Sequence, residues 1–319
     1  MAGTSTPCEE PMTKTILITG ATGNVGRPLS QALLERGYQI VVFTRSPDRA
    51  PEKVPGAQDY VQWDASLSGP WASAIDGVHG VINLAGESLF DGYLTEEKLI
   101  RAGKGRVIGT RGLVNAISQA AVKPKVLVNA SATGIYGFTE VSDTEITEEA
   151  PAPRLDHWSK DTERWEIEAY RAEQDKVRVA ALRIGVALER DAGMLEAQVG
   201  QFRAGYGGAV APGNQWMPWI HIDDIVGLLI HLLEHDIHGP VNGVSPGVVR
   251  QIEYAQTLAE VLGVTLGPMV SAEQLEQHMG LGAQATTHMR HVIPQRALAT
   301  GYQFRHPQLK EAMRDLLNL

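Results

Sequence analysis

The chain holds a single cysteine, Cys8, in 319 residues. No internal disulfide can form, which fits a reducing compartment such as the cytoplasm. Positive charge is also scarce: 28 Lys and Arg stand against 37 Asp and Glu, a formal charge of −9. Nucleic acid and anionic membrane surfaces both require clustered positive charge, so the expected partner is a small molecule. Long hydrophobic runs are missing as well. No segment has the uninterrupted apolar stretch of a membrane helix, and the opening MAGTSTPCEEPM lacks the positive start and apolar run of a secretion signal. Residues 1–13 read as a disordered tail, with the fold starting at Lys14.

What the chain does have is a hydrophobic content of 43%, enough to bury a large core in one large domain or two. Short β-branched runs alternate with helical patterns: TILIT (15–19), QIVVFT (39–44), DYVQWD (59–64), GVINLA (80–85), KVLVNA (125–130) and VRVAALRI (177–184). This alternation is the signature of βαβ units, so an α/β fold with a doubly wound parallel sheet is expected. Between the first two runs, Val25, Leu29, Ala32 and Leu33 recur at helical spacing and Gly37 marks a stop. After residue 185 glycine and proline accumulate, and IHIDDIVGLLIHLLEH then reads as an apolar helix. The expected division is a nucleotide-type domain at 14–185, with 220–245 packing back on it. A smaller, mostly helical substrate lobe is expected from 186–219 and 246–319.

TILITGATGNVG places Gly20, Gly23 and Gly26 directly after a strand and before a helix. Such a turn lets a pyrophosphate approach the N–H groups of the helix N-terminus, making Gly20, Thr22, Gly23, Asn24, Val25 and Gly26 the candidate contacts. An acid at the end of the second strand would select NAD by binding the adenosine ribose. This chain has Thr44, Arg45 and Ser46 there, and an arginine pairs with a 2′-phosphate, so NADP is favoured over NAD. Asp64 at the third strand end, and Leu84, Ala85 and Gly86 at the fourth, lie on the same expected ligand edge.

The segments TGATGNVG, NLAGES (83–88), VIGTR (107–111), SATGIYG (131–137), RWE (164–166), LRIGVAL (182–188), WIHIDD (219–224), HGPVNGVSP (238–246) and VIPQRALATGY (292–302) together resemble the short-chain dehydrogenase/reductases. The likeness is to the extended, epimerase-like kind, and within it to an atypical branch with its own C-terminal extension, also labelled cell-division-inhibitor-like. The resemblance spans nearly the whole chain. It implies a Rossmann sheet with a substrate lobe after the sixth strand, and Leu84 and Ala85 beside the dinucleotide. It also puts Arg111 near the cofactor and Thr133 near the nicotinamide-proximal ribose.

Active members of that superfamily exchange a proton through a tyrosine whose pKa, ordinarily about 10, is lowered by a lysine one helical turn later. Here no tyrosine has a lysine four positions on. Aligned on Trp165 and Glu166, Trp158 takes the tyrosine's place and Thr162 the lysine's, with Lys160 a neighbouring turn away. Ser131 stands five residues before Tyr136 where four is usual. Tyr136 and Ser131 are thus the candidate catalytic hydroxyls, without the usual activating partner. The expected function is an atypical NADP-preferring oxidoreductase or epimerase-like enzyme on an unknown carbonyl or alcohol. The alternative is a non-catalytic NADP-binding protein that reports redox state to a partner.

No metal is expected. His231, His235 and His238 share a helical stretch without an accompanying carboxylate ligand and read as solvated or capping residues. Trp216, Trp219 and His221 fall at the junction of the lobes, as pocket lining or as packing, and Asp223 or Asp224 is the expected cap of the following helix.

Overall fold

The structure is a computed structural model, and it describes residues 14–190 and 193–319. The expected tail at 1–13 lies outside the described residues. The first half runs β1 (Thr15–Thr19), α1 (Gly26–Glu35), β2 (Gln39–Thr44), α2 (Ala50–Lys53), β3 (Asp59–Gln62), β4 (Gly80–Asn83), α3 (Glu96–Gln119), β5 (Val126–Ala132), α4 (His157–Tyr170) and β6 (Arg178–Ile184). The second half runs β7 (Val186–Glu189), α5 (Gly193–Arg203), β8 (Trp216–Met217), β9 (Trp219–His221), α6 (Ile222–Glu234), β10 (Gly239–Gly243) and β11 (Val249–Arg250). Five helices follow, α7 (Gln251–Leu262), α8 (Ala272–Met279), α9 (Gly282–Thr287), α10 (Gln295–Ala299) and α11 (Leu309–Leu317).

Seven strands form one parallel sheet in the order β10-β6-β5-β4-β1-β2-β3. The chain order reverses direction between β1 and β4, the point at which open α/β sheets bind ligands. Alternation along each strand feeds two cores. Ile16 and Ile18 of β1, with Val42 and Val128, pack beneath α1 and α6 on one face. Leu17, Phe43, Val81, Leu127 and Val179 pack beneath α3 and the end of α4 on the other. β10 was not among the six expected strands; its Gly239 and Pro240 break the β-branched pattern. It lies at the sheet edge, paired to β6 alone among the described residues, where a proline without an N–H is tolerated.

The helices α7 and α11, with α5, β8 and β9, close a separate apolar cluster around Trp219, Tyr254 and Met313. Asp224, expected as a helix cap, does something else. The N-cap of α6 is His221, whose Nδ1 accepts the Asp223 amide at 3.1 Å. Asp224 is fully buried and accepts from the Tyr302 hydroxyl (3.0 Å) and the amides of Arg305 (2.8 Å) and His306 (2.9 Å). It thereby ties the C-terminal segment to the sheet-covering helix.

Candidate cofactor and substrate site

At the carboxyl end of β1 the backbone turns back on itself. Gly20 has φ +69°, and a Cβ there would come within 2.9 Å of the Leu84 carbonyl carbon. A Cβ on Gly26 would stand 2.2 Å from the Gly20 carbonyl oxygen, so only glycine closes this turn. Gly23 N–H donates to that same Gly20 oxygen at 3.0 Å. No side chain caps α1, and among the described residues the amides of Asn24 and Val25 have no protein acceptor. An uncapped helix start behind a side-chain-free turn fits a pyrophosphate.

Beneath the turn lies a buried polar lattice. The Thr19 hydroxyl donates to Asn83 Oδ1 (2.7 Å) and accepts the amides of Leu84 and Ala85 (both 3.1 Å). Asn83 Nδ2 donates to Thr110 Oγ1 (2.9 Å) and Asn129 Oδ1 (2.6 Å), and Trp165 Nε1 reaches the same Thr110 hydroxyl at 2.9 Å. Every member is satisfied, which holds β1, β4 and β5 in register with α3 and α4. Leu84 and Ala85 are thus brought against the glycine turn, with their amides already committed to Thr19.

At the adenosine end Thr44 and Arg45 follow β2, and Arg45 is exposed with no ion-pair partner among the described residues. Asp64 is exposed past β3, and a hydrogen bond from Ser66 holds its carboxyl below the usual range. Arg111 is turned to α4. Its guanidinium is bound to Glu168 of α4 at 2.5 Å, and Glu168 also takes Arg171 at 2.7 Å. The cation on α3 that does meet the sheet edge is Arg106, which sequence reasoning passed over. Five residues apart on a helix are about 140° apart in direction, so Arg106 and Arg111 look opposite ways. Arg106 Nε lies 2.8 Å from where a Cβ on Gly86 would be, Nη2 donates to the Glu87 carbonyl (2.7 Å), and the guanidinium stands 5.4 Å over Trp165. Burial pushes its pKa below the ordinary arginine range while Glu87 and Asp161 support the charge. The sequence signal was the stripe Leu99, Gly103, Arg106, Thr110, which is the face of α3 turned to α4 and the sheet.

The two candidate catalytic hydroxyls are brought together, through a buried ion pair. Ser131 Oγ donates to Glu166 Oε1 at 2.5 Å, and Arg183 grips both oxygens of Glu166 at 2.8 Å. Arg183 Nη1 donates to the Tyr136 hydroxyl (2.8 Å), which in turn donates to Asn242 Oδ1 (2.7 Å). Glu148 completes the lattice by accepting the amides of Asn242 (2.9 Å) and Arg296 (3.1 Å). Tyr136 is 2% exposed, and burial pushes its pKa up to about 12, against the opposing pull of Arg183. That is the opposite direction from the one general acid–base work requires. Thr133 is half-buried in the turn between β5 and Tyr136.

Trp158 is buried at the start of α4, with Phe138 edge-on at 5.5 Å and Phe90 nearly parallel at 5.9 Å. Lys160 is exposed and Thr162 half-buried. Among the junction residues, Trp219 is core and donates to the Gly247 carbonyl (2.7 Å). Trp216 is sandwiched between His291 (3.6 Å) and the Arg250 guanidinium (3.7 Å). His231 and Thr300 make one contact at 3.3 Å, and His238 meets Asp236 at 3.1 Å. His221, Asp223 and His306 come close enough to share an ion. However, the two imidazoles stack face to face at 3.6 Å and 22°, so their lone pairs run alongside each other instead of converging.

A fold and turn of this kind define a dinucleotide-binding α/β protein, and the comparisons with known proteins give the family. The model of the NAD dependent epimerase/dehydratase family matches residues 16–244, and a domain of unknown function matches 279–316. The chain belongs to the NAD dependent epimerase/dehydratase family. It is 34% identical over 307 residues to the chloroplastic epimerase family protein SDR39U1 homolog of Arabidopsis thaliana, covering 95% of this chain and 86% of the relative. With the epimerase family protein SDR39U1 of Homo sapiens the identity is 33% over 309 residues, covering 95% and 99%. A crystal structure of that human protein with NADPH (isoform 2) superposes with a TM-score of 0.85 at 31% identity, covering 95% of this chain and 99% of that one. Among the described residues no helix is long and apolar enough to cross a membrane.

Proposed function

We propose that this chain binds NADP(H) along the carboxyl edge of its sheet and exchanges hydride with a carbonyl or alcohol. The observation that carries the reading is the uncapped start of α1 behind a turn that no side chain can enter. Gly20, Thr22, Gly23, Asn24, Val25 and Gly26 would receive the pyrophosphate, and Thr44 and Arg45 the adenosine phosphate. Asp64 would lie near the adenine, Leu84 to Gly86 would flank the dinucleotide, and Thr133 would meet the nicotinamide-side ribose. The choice of NADP is supported by Arg45, instead of an acid, directly at the end of β2, and by the NADPH in the human relative's structure. When bound, the reduced cofactor supplies a hydride. The protein's part is to hold the partner molecule, exclude water and position a proton source. On this reading Tyr136 and Ser131 position β5 and do not touch the reacting atoms, since both hydroxyls are spent on the Glu166–Arg183 pair. The compartment we infer is the cytoplasm, on the single cysteine.

The same locked hydroxyls favour a second reading, a non-catalytic NADP-binding protein. Fluorescence titration with NADPH and NADH tests the first step: tighter NADPH binding is expected, and equal affinities would sink the role of Arg45. A screen of carbonyl compounds that follows NADPH oxidation then separates the two readings. Turnover that survives Tyr136→Phe supports an enzyme with another proton source, and no turnover on any compound supports the second.

A further inference from the structure

We infer that the 2′-phosphate of NADP(H) is gripped from the groove between α1 and α2 as well as by Arg45, with Arg27 and Lys53 as the second and third cations that set the preference over NAD(H). The inference rests on the reading above, which gives the pyrophosphate to the glycine turn and the adenosine phosphate to Arg45. A groove of about 590 Å³ runs between α1 and the end of α2, and Arg27, Gln31, Leu34, Lys53, Val54 and Pro55 line it. Leu34 and Val54 belong to the core beneath α1, so its floor is fixed by the fold. Arg27 is the second residue of α1, next to Gly26 of the glycine turn, and Leu34 lies seven residues further on, about 10 Å along the helix. β1 and β2 are paired with Thr19 opposite Phe43, so the turn and Arg45 leave the sheet from neighbouring strand ends. The Arg27 end of the groove therefore belongs to the same edge as the turn and Arg45.

Charge decides what such a groove can hold. A phosphomonoester carries about −1.5 to −2 charges at pH 7, and one arginine leaves about half of that unbalanced. None of the lining residues is acidic, although Asp48 and Glu52 stand on the same segment as Lys53. Ser30 Oγ is spent on the Gly26 carbonyl (2.7 Å) and the Gln31 amide on Glu35 (2.9 Å). Arg27 makes one long hydrogen bond, to Asn24 Oδ1 at 3.5 Å, and neither Arg27 nor Lys53 forms an ion pair among the described residues. The Glu189 carboxyl, pushed above its ordinary range by burial, meets Asn24 and lies in the field of Arg27 without pairing with it. Two cations from facing walls, with no acid between them, make a seat for a dianion and offer a bare 2′-hydroxyl little.

Isothermal titration with NADPH and with NADH, on the unmodified protein, on Arg45→Glu and on the double variant Arg27→Gln/Lys53→Gln, tests the proposal by binding alone. The double variant should lose at least about fivefold of the preference for NADPH over NADH, with the Kd for NADH unchanged. Both positions are exposed, so the unchanged NADH affinity also reports that the variant has folded. A smaller loss of preference overturns the inference. So does an equal loss for both cofactors, which would assign the two residues to the fold or to the pyrophosphate. Arg45→Glu keeps the claims apart: a preference that falls in Arg45→Glu and survives in the double variant overturns this inference alone. An unmodified protein with no preference for NADPH overturns the reading beneath it as well.

Discussion

The two halves of the sheet's carboxyl edge are built from similar residues and end in different states. Around β1 and β4, Thr19, Asn83 and Thr110 spend their polar groups below the edge, leaving the amides of Asn24 and Val25 and the Arg45 side chain above it without protein partners among the described residues. Around β5 and β6, Ser131, Tyr136, Glu166 and Arg183 spend theirs on one another, and almost nothing is left facing out. A hydroxyl at a strand end therefore says little about chemistry until its partners are known. The first half is a ligand cradle resting on a satisfied lattice. The second is a closed lattice whose hydroxyls are spent on a buried ion pair.

If the β5–β6 half is structural, breaking it should cost stability first. Arg183→Met leaves the Glu166 carboxyl buried with only Ser131 for company, and should lower the unfolding free energy by about 3–5 kcal/mol in urea titration. Pairing it with Glu166→Leu should restore much of that loss; a double variant no better than the single would contradict the ion-pair account. Alkaline unfolding sharpens the same point. The Tyr136 pKa rises from 10.0 in the unfolded chain to about 12 in the folded one, so the neutral form is the one the fold prefers. Its contribution, roughly 3 kcal/mol at about 1.4 kcal/mol per pKa unit, is present below pH 10 and is lost as pH climbs toward 12. Burial raises Tyr170, Tyr254 and Tyr302 in the same direction. The midpoint of alkaline unfolding, followed by circular dichroism, should lose part of its pH dependence above pH 10 in Tyr136→Phe, and an unchanged profile would count against the lattice.

On the cradle side the expected effects fall on ligand choice. Arg45→Glu should reduce the preference for NADPH over NADH by about 1.5–3 kcal/mol, roughly ten- to a hundredfold, because the proposed charge-assisted contact to the 2′-phosphate would be removed. Stability should barely move, since Arg45 is exposed and makes no ion pair among the described residues.

Most of the sheet was legible in the sequence. β1 and β2 begin and end where their β-branched runs do, and β3 and β4 stop two residues short of theirs, at Gln62 and Asn83. The glycine turn was legible because each glycine answers a local steric demand visible in the pattern itself. β10 was not, because an edge strand tolerates the glycine and proline that disguise it. Arg106 and the role of Asp224 were hidden for another reason. One depends on which face of a 24-residue helix meets the sheet, and the other on a segment some eighty positions away folding back to meet a buried carboxylate. The partners of Tyr136 were equally unreadable, since Arg183 and Asn242 lie 47 and 106 residues along the chain.

The division of the edge is tested most directly by urea unfolding of Tyr136→Phe with and without saturating NADPH. A ligand that binds only the folded state raises stability by RT ln(1 + [L]/Kd), about 2.7 kcal/mol at a hundredfold excess over Kd. The account predicts that Tyr136→Phe starts from a lower baseline, by about 1–3 kcal/mol for the unpaired partners it leaves behind, and gains the same increment from NADPH as the unmodified protein. An unchanged baseline, or an increment that disappears, would contradict it and return Tyr136 to the ligand's side of the edge.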